Sequence, residues 1–157
     1  MTLTIGEQVP DIELPATGDK MVKPSDFRGK NLVLYFYPKA STPGCTQEGR
    51  DFRDLIEAFE AQKTVILGAS RDGIKAQENF KAKQAFPFDL VSDKGEALCK
   101  AFDVIKLKKM YGKESLGVER STFLIDAEGR LRREWRKVKV KGHAEEILEA
   151  VKALNEG

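Results

Sequence analysis

The alternation of apolar and polar positions predicts buried strands that lead into amphipathic helices. Residues 31–37 are apolar on both faces and rich in β-branched and aromatic side chains, a pattern typical of a central strand in a covered sheet. From Cys45 the spacing becomes helical, since Phe52, Leu55, Ile56 and Phe59 fall at i, i+3, i+4 and i+7. Residues 64–69 then predict a second buried strand. The chain therefore begins with a strand–helix–strand unit.

The remaining elements predict an α/β fold with a thioredoxin-like order. An extended stretch at 9–15 precedes the first strand, and a helix over 73–84 follows the second. After it we expect a strand at 89–91, a short helix ending near Phe102, strands at 119–125 and 131–140 joined by a turn at 126–129, and a helix over 143–154. Parallel crossovers followed by an antiparallel hairpin predict a central mixed β-sheet flanked by helices on both faces. We expect one domain over 1–157, with reactive residues at the carboxyl end of a central strand.

Composition narrows the class of protein. The chain has 157 residues, 41% hydrophobic, and its 27 cations and 25 anions leave a net charge of +2, so charge alone gives no general case for nucleic acid or membrane as a partner. The longest apolar run, 32–37, is far too short to span a bilayer, and residues 1–7 lack a secretory pattern. Two cysteines, Cys45 and Cys99, do not make a disulfide framework. These features predict a protein of the reducing cytoplasm.

Cys45 is the main candidate for chemistry. It follows a Pro-Gly turn at the start of the predicted helix, where backbone amides and the helix dipole favour a thiolate. The alternative is a small inert core residue, which is what most buried cysteines are. A Cys-His protease would use His143, which we expect to lie remote from Cys45, and a Cys-x-x-Cys oxidoreductase is excluded by Glu48. Too few ligands are present for a zinc site. What remains is a thiolate that attacks an electrophilic oxygen.

These residues resemble the active-site motif of the peroxiredoxins. The motif is Pro38-x-x-x-Thr42-x-x-Cys45 after an apolar strand, and the fuller string 36–54 resembles the bacterioferritin-comigratory, or peroxiredoxin Q, subgroup. Agreement extends to 86–93 and 120–126, and covers nearly the whole chain. The resemblance implies a thioredoxin-fold thiol peroxidase that reduces hydrogen peroxide and organic hydroperoxides without metal, haem or flavin. A binding module with the same fold but no activity is the main alternative.

The resemblance also implies a role for each motif residue. Cys45 would attack the peroxide and become a sulfenic acid, Thr42 would bond the peroxide, and Arg120 would stabilise both the thiolate and the leaving oxygen. Pro38 would wall the pocket, and Glu48 would orient a guanidinium by pairing with Arg120 or Arg53. Taken singly, Thr42 could be only a helix cap, Pro38 only a strand terminator, and Arg120 only a solvated strand end.

The chain departs from the subgroup where a second cysteine usually resolves the sulfenic acid. The two usual positions for that resolving cysteine hold Arg50 and, by alignment, Lys81. Cys99 remains, but its apolar neighbours favour a buried structural residue. We therefore expect one-cysteine behaviour, in which glutathione, glutaredoxin or thioredoxin reduces the sulfenic acid.

Basic residues are concentrated at 130–141 and 106–113. Edge strands are commonly protected from pairing by such charges, and this interpretation is favoured over a nucleic-acid or other anionic surface. The subgroup resemblance implies a monomer, although apolar residues near Tyr111 and Trp135 leave an interface open.

Overall fold

The computed structural model describes residues 3–157, and its elements follow the predicted order with additions. The strands are β1 (Leu14–Ala16), β2 (Lys20–Val22), β3 (Asn31–Phe36), β4 (Thr64–Ser70), β5 (Asp89–Ser92), β6 (Ile105–Met110), β7 (Lys113–Val118), β8 (Ser121–Ile125) and β9 (Leu131–Trp135). The α-helices are α1 (Pro43–Asp54), α2 (Ile56–Ala61), α3 (Ile74–Gln84), α4 (Ala97–Ala101) and α5 (His143–Glu156), and a 3-10 helix covers Pro24–Phe27.

Seven strands form one mixed sheet in the order β2-β1-β5-β4-β3-β8-β9. The pairs β3–β4 and β4–β5 are parallel, whereas β3–β8, β8–β9, β1–β5 and β1–β2 are antiparallel. The predicted central mixed sheet is therefore confirmed, and β3 is an interior strand between β4 and β8, buried at every position.

Each face of the sheet carries its own apolar cluster. Along β3 and its exit, Val33, Tyr35 and Tyr37 face one cluster, while Leu32, Leu34 and Phe36 face the other, because side chains alternate across a strand. The first cluster is covered by α1, α2, α3 and α5, and the second by α4 and the 3-10 helix. This arrangement confirms the thioredoxin-like α/β fold with helices on both faces. The single-domain assignment over 1–157 stays a prediction.

The helix predicted from Cys45 begins earlier and is interrupted. It starts at Pro43, and α1 and α2 are separated at Leu55, whose amide N–H donates to the Phe52 carbonyl at 3.2 Å. That bond closes a tighter turn than an α-helix does. Phe52 and Phe59 still reach the same core cluster.

The last strand is shorter than predicted. It ends at Trp135 instead of Val140, because the pairing with β8 stops at Thr122↔Trp135. Lys137 then takes a left-handed conformation with φ of 50°, and the Val138 N–H donates to the Arg120 carbonyl at 3.0 Å.

The lysine-rich stretch after α4 forms an antiparallel hairpin, β6–β7, that the sequence did not predict. Leu107 and Leu116 pair across it and are 60% and 63% exposed. Only the base of the hairpin is buried, so the side that carries Leu107 and Leu116 does not form the half-buried face that is typical of such a strand.

Within residues 3–157, no helix has the length and apolar character needed to cross a membrane.

Candidate active site

The predicted reactive loop connects β3 to α1 on the face of the first core cluster. Thr42 is the N-cap of α1 and Pro43 is its first residue, a position where the missing N–H of proline costs nothing. Cys45 is therefore the third helical residue, and its side chain is 2% exposed. Just before the cap, Ser41 has φ of 65°, a conformation that costs a non-glycine residue free energy and often occurs at functional sites.

Thr42 does not cap the helix with its side chain. Its hydroxyl donates to the Lys39 carbonyl at 2.7 Å, and no side-chain cap hydrogen bond is formed. The Thr42 side chain therefore accepts no hydrogen bond from the backbone N–H groups of the first turn of α1, although N-cap side chains usually do so. Pro38, half-buried, lies in the same loop.

Arg120 joins this loop from the segment between β7 and β8. Its Nη2 lies 3.4 Å from the Cys45 Sγ, and its Nη1 donates to Glu48 Oε1 at 2.6 Å. The side chains of Arg120 and Glu48 are 16% and 1% exposed. Of the two partners considered for Glu48, the structure selects Arg120, while Arg53 contacts Asp54 and the Gln84 carbonyl.

Gly44 permits this close approach. A Cβ built at Gly44 would lie 3.1 Å from Arg120 Nη2, closer than carbon and nitrogen normally pack. The guanidinium is held by Glu48 and Cys45 and has little freedom to withdraw. The glycine of the Pro-Gly pair thus has a packing role as well as a place in the turn.

Glu48 is a buried carboxylate with one unused oxygen. Burial raises its pKa to about 7, against the opposing effect of Arg120, since a low-dielectric surrounding disfavours the charged form. Oε1 is bonded to Arg120, whereas Oε2 has no hydrogen-bond partner among the described residues.

A hydrogen-bonded network that the sequence did not reveal anchors the loop. The Tyr37 hydroxyl donates to Gln77 Oε1, Gln77 Nε2 donates to Ser70 Oγ at 2.8 Å, and Ser70 donates to Asp72 Oδ2 at 2.5 Å. The same carboxylate oxygen accepts the Ala40 N–H at 2.8 Å. These residues come from the segment after β3, the end of β4 and its following loop, and α3, so no local pattern could have identified them.

His143 opens α5 as predicted, and it packs against Phe52 of α1. Its Nε2 pairs with Thr122 Oγ1 at 2.8 Å, and its ring lies against Phe52 with centroids 6.3 Å apart. Burial and, to a smaller extent, the positive charge of Arg120 lower the pKa of His143 to about 4. The ring is therefore neutral at pH 7 and supplies no positive charge to Cys45.

The second cysteine lies on the opposite side of the sheet. Cys99 is fully buried in the cluster that contains Phe36, whereas Cys45 belongs to the cluster that contains Tyr35 and Tyr37. Burial raises the pKa of the Cys99 thiol well above its usual range, and Asp93 raises it further.

The structure places both residues that stand at the usual positions of a resolving cysteine. Arg50 is exposed on α1, and Lys81 on α3 pairs with Asp89 at 2.8 Å. Residues 3–157 contain no cluster of three or more His, Cys, Asp or Glu side chains able to hold a metal ion.

Comparison with known proteins finds relatives that are similar to this chain over nearly its whole length. The model of the AhpC/TSA family matches residues 5–134. The chain is 53% identical over 156 residues to peroxiredoxin Bcp of Bacillus subtilis, covering 99% of both chains. It is 55% identical over 143 residues to peroxiredoxin Bcp of Xanthomonas campestris, covering 91% of this chain and 89% of that one.

A solved structure of the Xanthomonas campestris bacterioferritin comigratory protein has a TM-score of 0.91 and 51% identity, covering 97% of this chain and 99% of that one. Two further structures of peroxiredoxin Q from that organism are mutants in which one cysteine is replaced by serine. The separation between those two cysteine positions equals that between Cys45 and Lys81 here. The lysine thus stands where the spacing of that relative would place its second cysteine.

Proposed function

The chain belongs to the AhpC/TSA family and, within it, to the Bcp or peroxiredoxin Q group, and on this basis we propose that Cys45 is the nucleophile of its thiol peroxidase reaction. The observation that supports this assignment best is the Arg120 Nη2 placed 3.4 Å from the Cys45 Sγ at the start of α1. A guanidinium and a helix N-terminus together favour the thiolate, the reactive form of cysteine.

The reaction we propose oxidises sulfur by two electrons. The Cys45 thiolate attacks the terminal oxygen of a hydroperoxide, the S–O bond forms and the O–O bond breaks. Cys45 becomes a sulfenic acid, and the departing alkoxide or hydroxide takes a proton and leaves as an alcohol or water. The negative charge therefore moves from the sulfur to the leaving oxygen.

Arg120 stabilises the negative charge as it moves from sulfur to oxygen, and Glu48 orients Arg120. The guanidinium contacts the sulfur before the reaction and is close enough to stabilise the oxygen on which charge develops. Glu48 holds Nη1 at 2.6 Å, which fixes the orientation of the guanidinium plane.

Thr42 and Pro38 shape the place where the peroxide binds. The Thr42 hydroxyl hydrogen is already donated to Lys39, so its oxygen is free to accept the O–H of a hydroperoxide and to align the O–O bond with the sulfur. Half-buried Pro38 forms a wall that limits water around the thiolate.

The substrates we propose are hydrogen peroxide and organic hydroperoxides. The Xanthomonas campestris relative is described by its alkyl peroxide reduction activity, and it is 51% identical to this chain. A site built from a thiolate, a guanidinium and a hydroxyl makes contacts only with the O–O group, which both substrate classes share.

We further propose that an external thiol regenerates Cys45. Arg50 and Lys81 cannot form a disulfide, and the central sheet separates Cys99 from Cys45. One thiol of glutathione, glutaredoxin or thioredoxin would attack the sulfenic acid and release water, and a second thiol would then release Cys45 from the mixed disulfide.

Mass spectrometry of the non-reduced protein after one equivalent of hydrogen peroxide tests this proposal. We expect Cys45 as sulfenic acid or, with added glutathione, as a mixed disulfide, and Cys99 as free thiol. Abundant Cys45–Cys99 disulfide would exclude the one-cysteine cycle, and absence of any peroxide-dependent loss of thiol would exclude the peroxidase assignment itself.

For its cellular setting we propose a monomer of one domain over 1–157 in the reducing cytoplasm, with no cofactor and with neither nucleic acid nor membrane as partner. The basic strand β9 is an edge of the sheet, where positive charge opposes pairing with another strand. Arg136 in the same region is used internally, donating to the Asp103 and Phe102 carbonyls.

A further inference from the structure

The Asp72 carboxylate reaches the loop of the Cys45 site from the segment that follows β4. Its Oδ2 accepts the Ala40 N–H at 2.8 Å and the Ser70 hydroxyl at 2.5 Å. Ser70 holds Asp72 at a second point, since its Oγ also accepts the Asp72 N–H at 3.2 Å. Hydrogen bonds from backbone N–H groups to a carboxylate are stronger than those to a neutral acceptor. A side chain outside the sequence motif therefore fixes the Ala40 amide.

The Ala40 N–H belongs to the same peptide unit as the Lys39 carbonyl, and that carbonyl accepts the Thr42 hydroxyl at 2.7 Å. Because a peptide unit is planar and rigid, fixing the direction of its N–H also fixes the direction of its carbonyl. Asp72 and Thr42 are thus joined by two hydrogen bonds and one rigid plane. Ser41, between Ala40 and Thr42, has φ of 65°, a conformation that persists only where surrounding contacts impose it.

We propose that Asp72 is a positioning residue of the Cys45 site, which holds the Lys39–Ala40 peptide and thereby sets the orientation of the Thr42 hydroxyl. This role rests on the proposed peroxidase reaction. With its hydrogen donated to the Lys39 carbonyl, the Thr42 oxygen acts as an acceptor for the O–H of a hydroperoxide. Without Asp72 the peptide can turn, the hydroxyl can rotate, and the contact that aligns the O–O bond with the sulfur is weakened.

Two other roles for Asp72 give different experimental results. As a charge, it would oppose the negative charge of the Cys45 thiolate from a distance. As a part of the fold, it would act together with Ser92, whose hydroxyl donates to the Asp72 carbonyl at 2.7 Å. The bonds from Ser92 and from Ala40 to Asp72 are similar in length, but only the second one reaches the Lys39–Ala40 peptide. Ser92→Ala is therefore a matched control.

The test uses a Cys99→Ser background, so that Cys45 is the only thiol. Asp72→Ala removes the acceptor of the Ala40 N–H, whereas Asp72→Asn removes the charge and retains an oxygen that can accept this N–H. Each variant is made with Thr42 and with Thr42→Val, which lacks the hydroxyl. The two measurements are the second-order rate constant with hydrogen peroxide and the rate of Cys45 alkylation by iodoacetamide, which has no O–O bond for Thr42 to align.

We expect Asp72→Ala to lower the rate constant with hydrogen peroxide about tenfold, the effect of one lost hydrogen bond on a barrier. In the Thr42→Val background the same change should cost less than about twofold, because the hydroxyl that Asp72 orients is absent. Asp72→Asn should stay within about threefold of the parent, and Ser92→Ala within about twofold. The alkylation rate and its pH profile should be the same in all of these proteins within about twofold.

Equal loss from Asp72→Ala in the two backgrounds would overturn the inference, and so would an alkylation rate that falls in parallel with the peroxide rate. A loss in Asp72→Asn as large as that in Asp72→Ala would assign the effect to charge and would overturn it as well.

If Asp72→Ala fails to fold, Ser70→Ala takes its place, since it removes a bond that orients the same carboxylate. A loss of about threefold that disappears in Thr42→Val would support the role, and no loss, or the same loss in both backgrounds, would refute it. A parent that consumes no peroxide would refute the proposed function, which is a different outcome from a parent that is active and indifferent to Asp72.

Discussion

The two cysteines have matching local surroundings and opposite chemistry. Cys45 is the third residue of α1 and Cys99 is the third residue of α4. Both thiols are buried, and each lies near a fully buried carboxylate, Glu48 in one case and Asp93 in the other. A helix start and burial are therefore not enough to make a cysteine reactive.

The difference lies in what each carboxylate binds. Glu48 holds the Arg120 guanidinium, which in turn contacts the Cys45 sulfur. Asp93 instead accepts hydrogen bonds from the Leu98 and Cys99 backbone N–H groups at 3.2 and 2.7 Å. The amides at the start of α4 are therefore bonded to this carboxylate. At the first site a cation lies between thiol and carboxylate. At the second site Asp93 acts on the thiol directly and more strongly than Arg71, which opposes it, so a thiolate is disfavoured.

The largest expected effect comes from exchanging each thiol for a hydroxyl. Cys45→Ser should lower the rate of peroxide consumption by more than about 10³-fold, because the nucleophile is lost. Cys99→Ser should keep the activity within about twofold. Stopped-flow kinetics with hydrogen peroxide measure both. Equal loss in the two variants would remove the distinction between the sites, and a wild type that consumes no peroxide would favour the inactive binding module.

Removing the cation should make the first site resemble the second. Arg120→Gln retains a side chain able to hydrogen-bond but loses the charge, and we expect kcat/KM for peroxide to fall by about 10² to 10³-fold. Arg132→Gln is the control, since Arg132 is an exposed arginine on β9 that pairs with Asp126 in the preceding turn. An activity of Arg120→Gln equal to that of Arg132→Gln would contradict the assignment.

The Glu48 carboxylate should give a pH-dependent stability. Folded Glu48 keeps its proton to about pH 7, whereas the unfolded chain releases it near 4.5. Between these values the folded state binds more protons, so stability falls as pH rises. Relative to Glu48→Gln, the free energy of unfolding of the wild type should fall by up to about 3 kcal/mol across this window.

Urea denaturation at several pH values measures this difference. Glu57→Gln, at an exposed position on α2, serves as the control and should track the wild type. Parallel curves for wild type and Glu48→Gln would show that Glu48 ionises in the fold as it does in the unfolded chain.

The smallest effect concerns the second site. Asp93→Asn removes a charge that accepts two backbone N–H groups, and we expect a loss of about 1 to 2 kcal/mol in the free energy of unfolding. In a Cys45→Ser background, Cys99 should also react faster with thiol reagents as α4 opens more often. Unchanged labelling and stability would mean that Asp93 does not govern the Cys99 surroundings.

Prediction from sequence succeeded where the information is local. The run at β3 and the helical spacing of Phe52 and Phe59 placed Cys45 at a strand-to-helix junction, as the structure has it. The hairpin β8–β9 followed from its turn, where the Asp126 N–H bonds to the Arg130 carbonyl at 2.9 Å. Prediction failed at β6–β7, where two strands pair without burying an apolar face, and at the end of β9, where the pairing with β8 stops at Trp135.

The sequence by itself determined the order of the elements, the position of Cys45 at a helix start, and the absence of cysteine at Arg50 and Lys81. These follow from side-chain periodicity and residue identity, which need no distant partner. Only the tertiary structure decided the chemistry around the two thiols. Arg120 reaches Cys45 from 75 positions away, and the sheet isolates Cys99, because cross-strand pairing brings together residues whose contact no local spacing encodes.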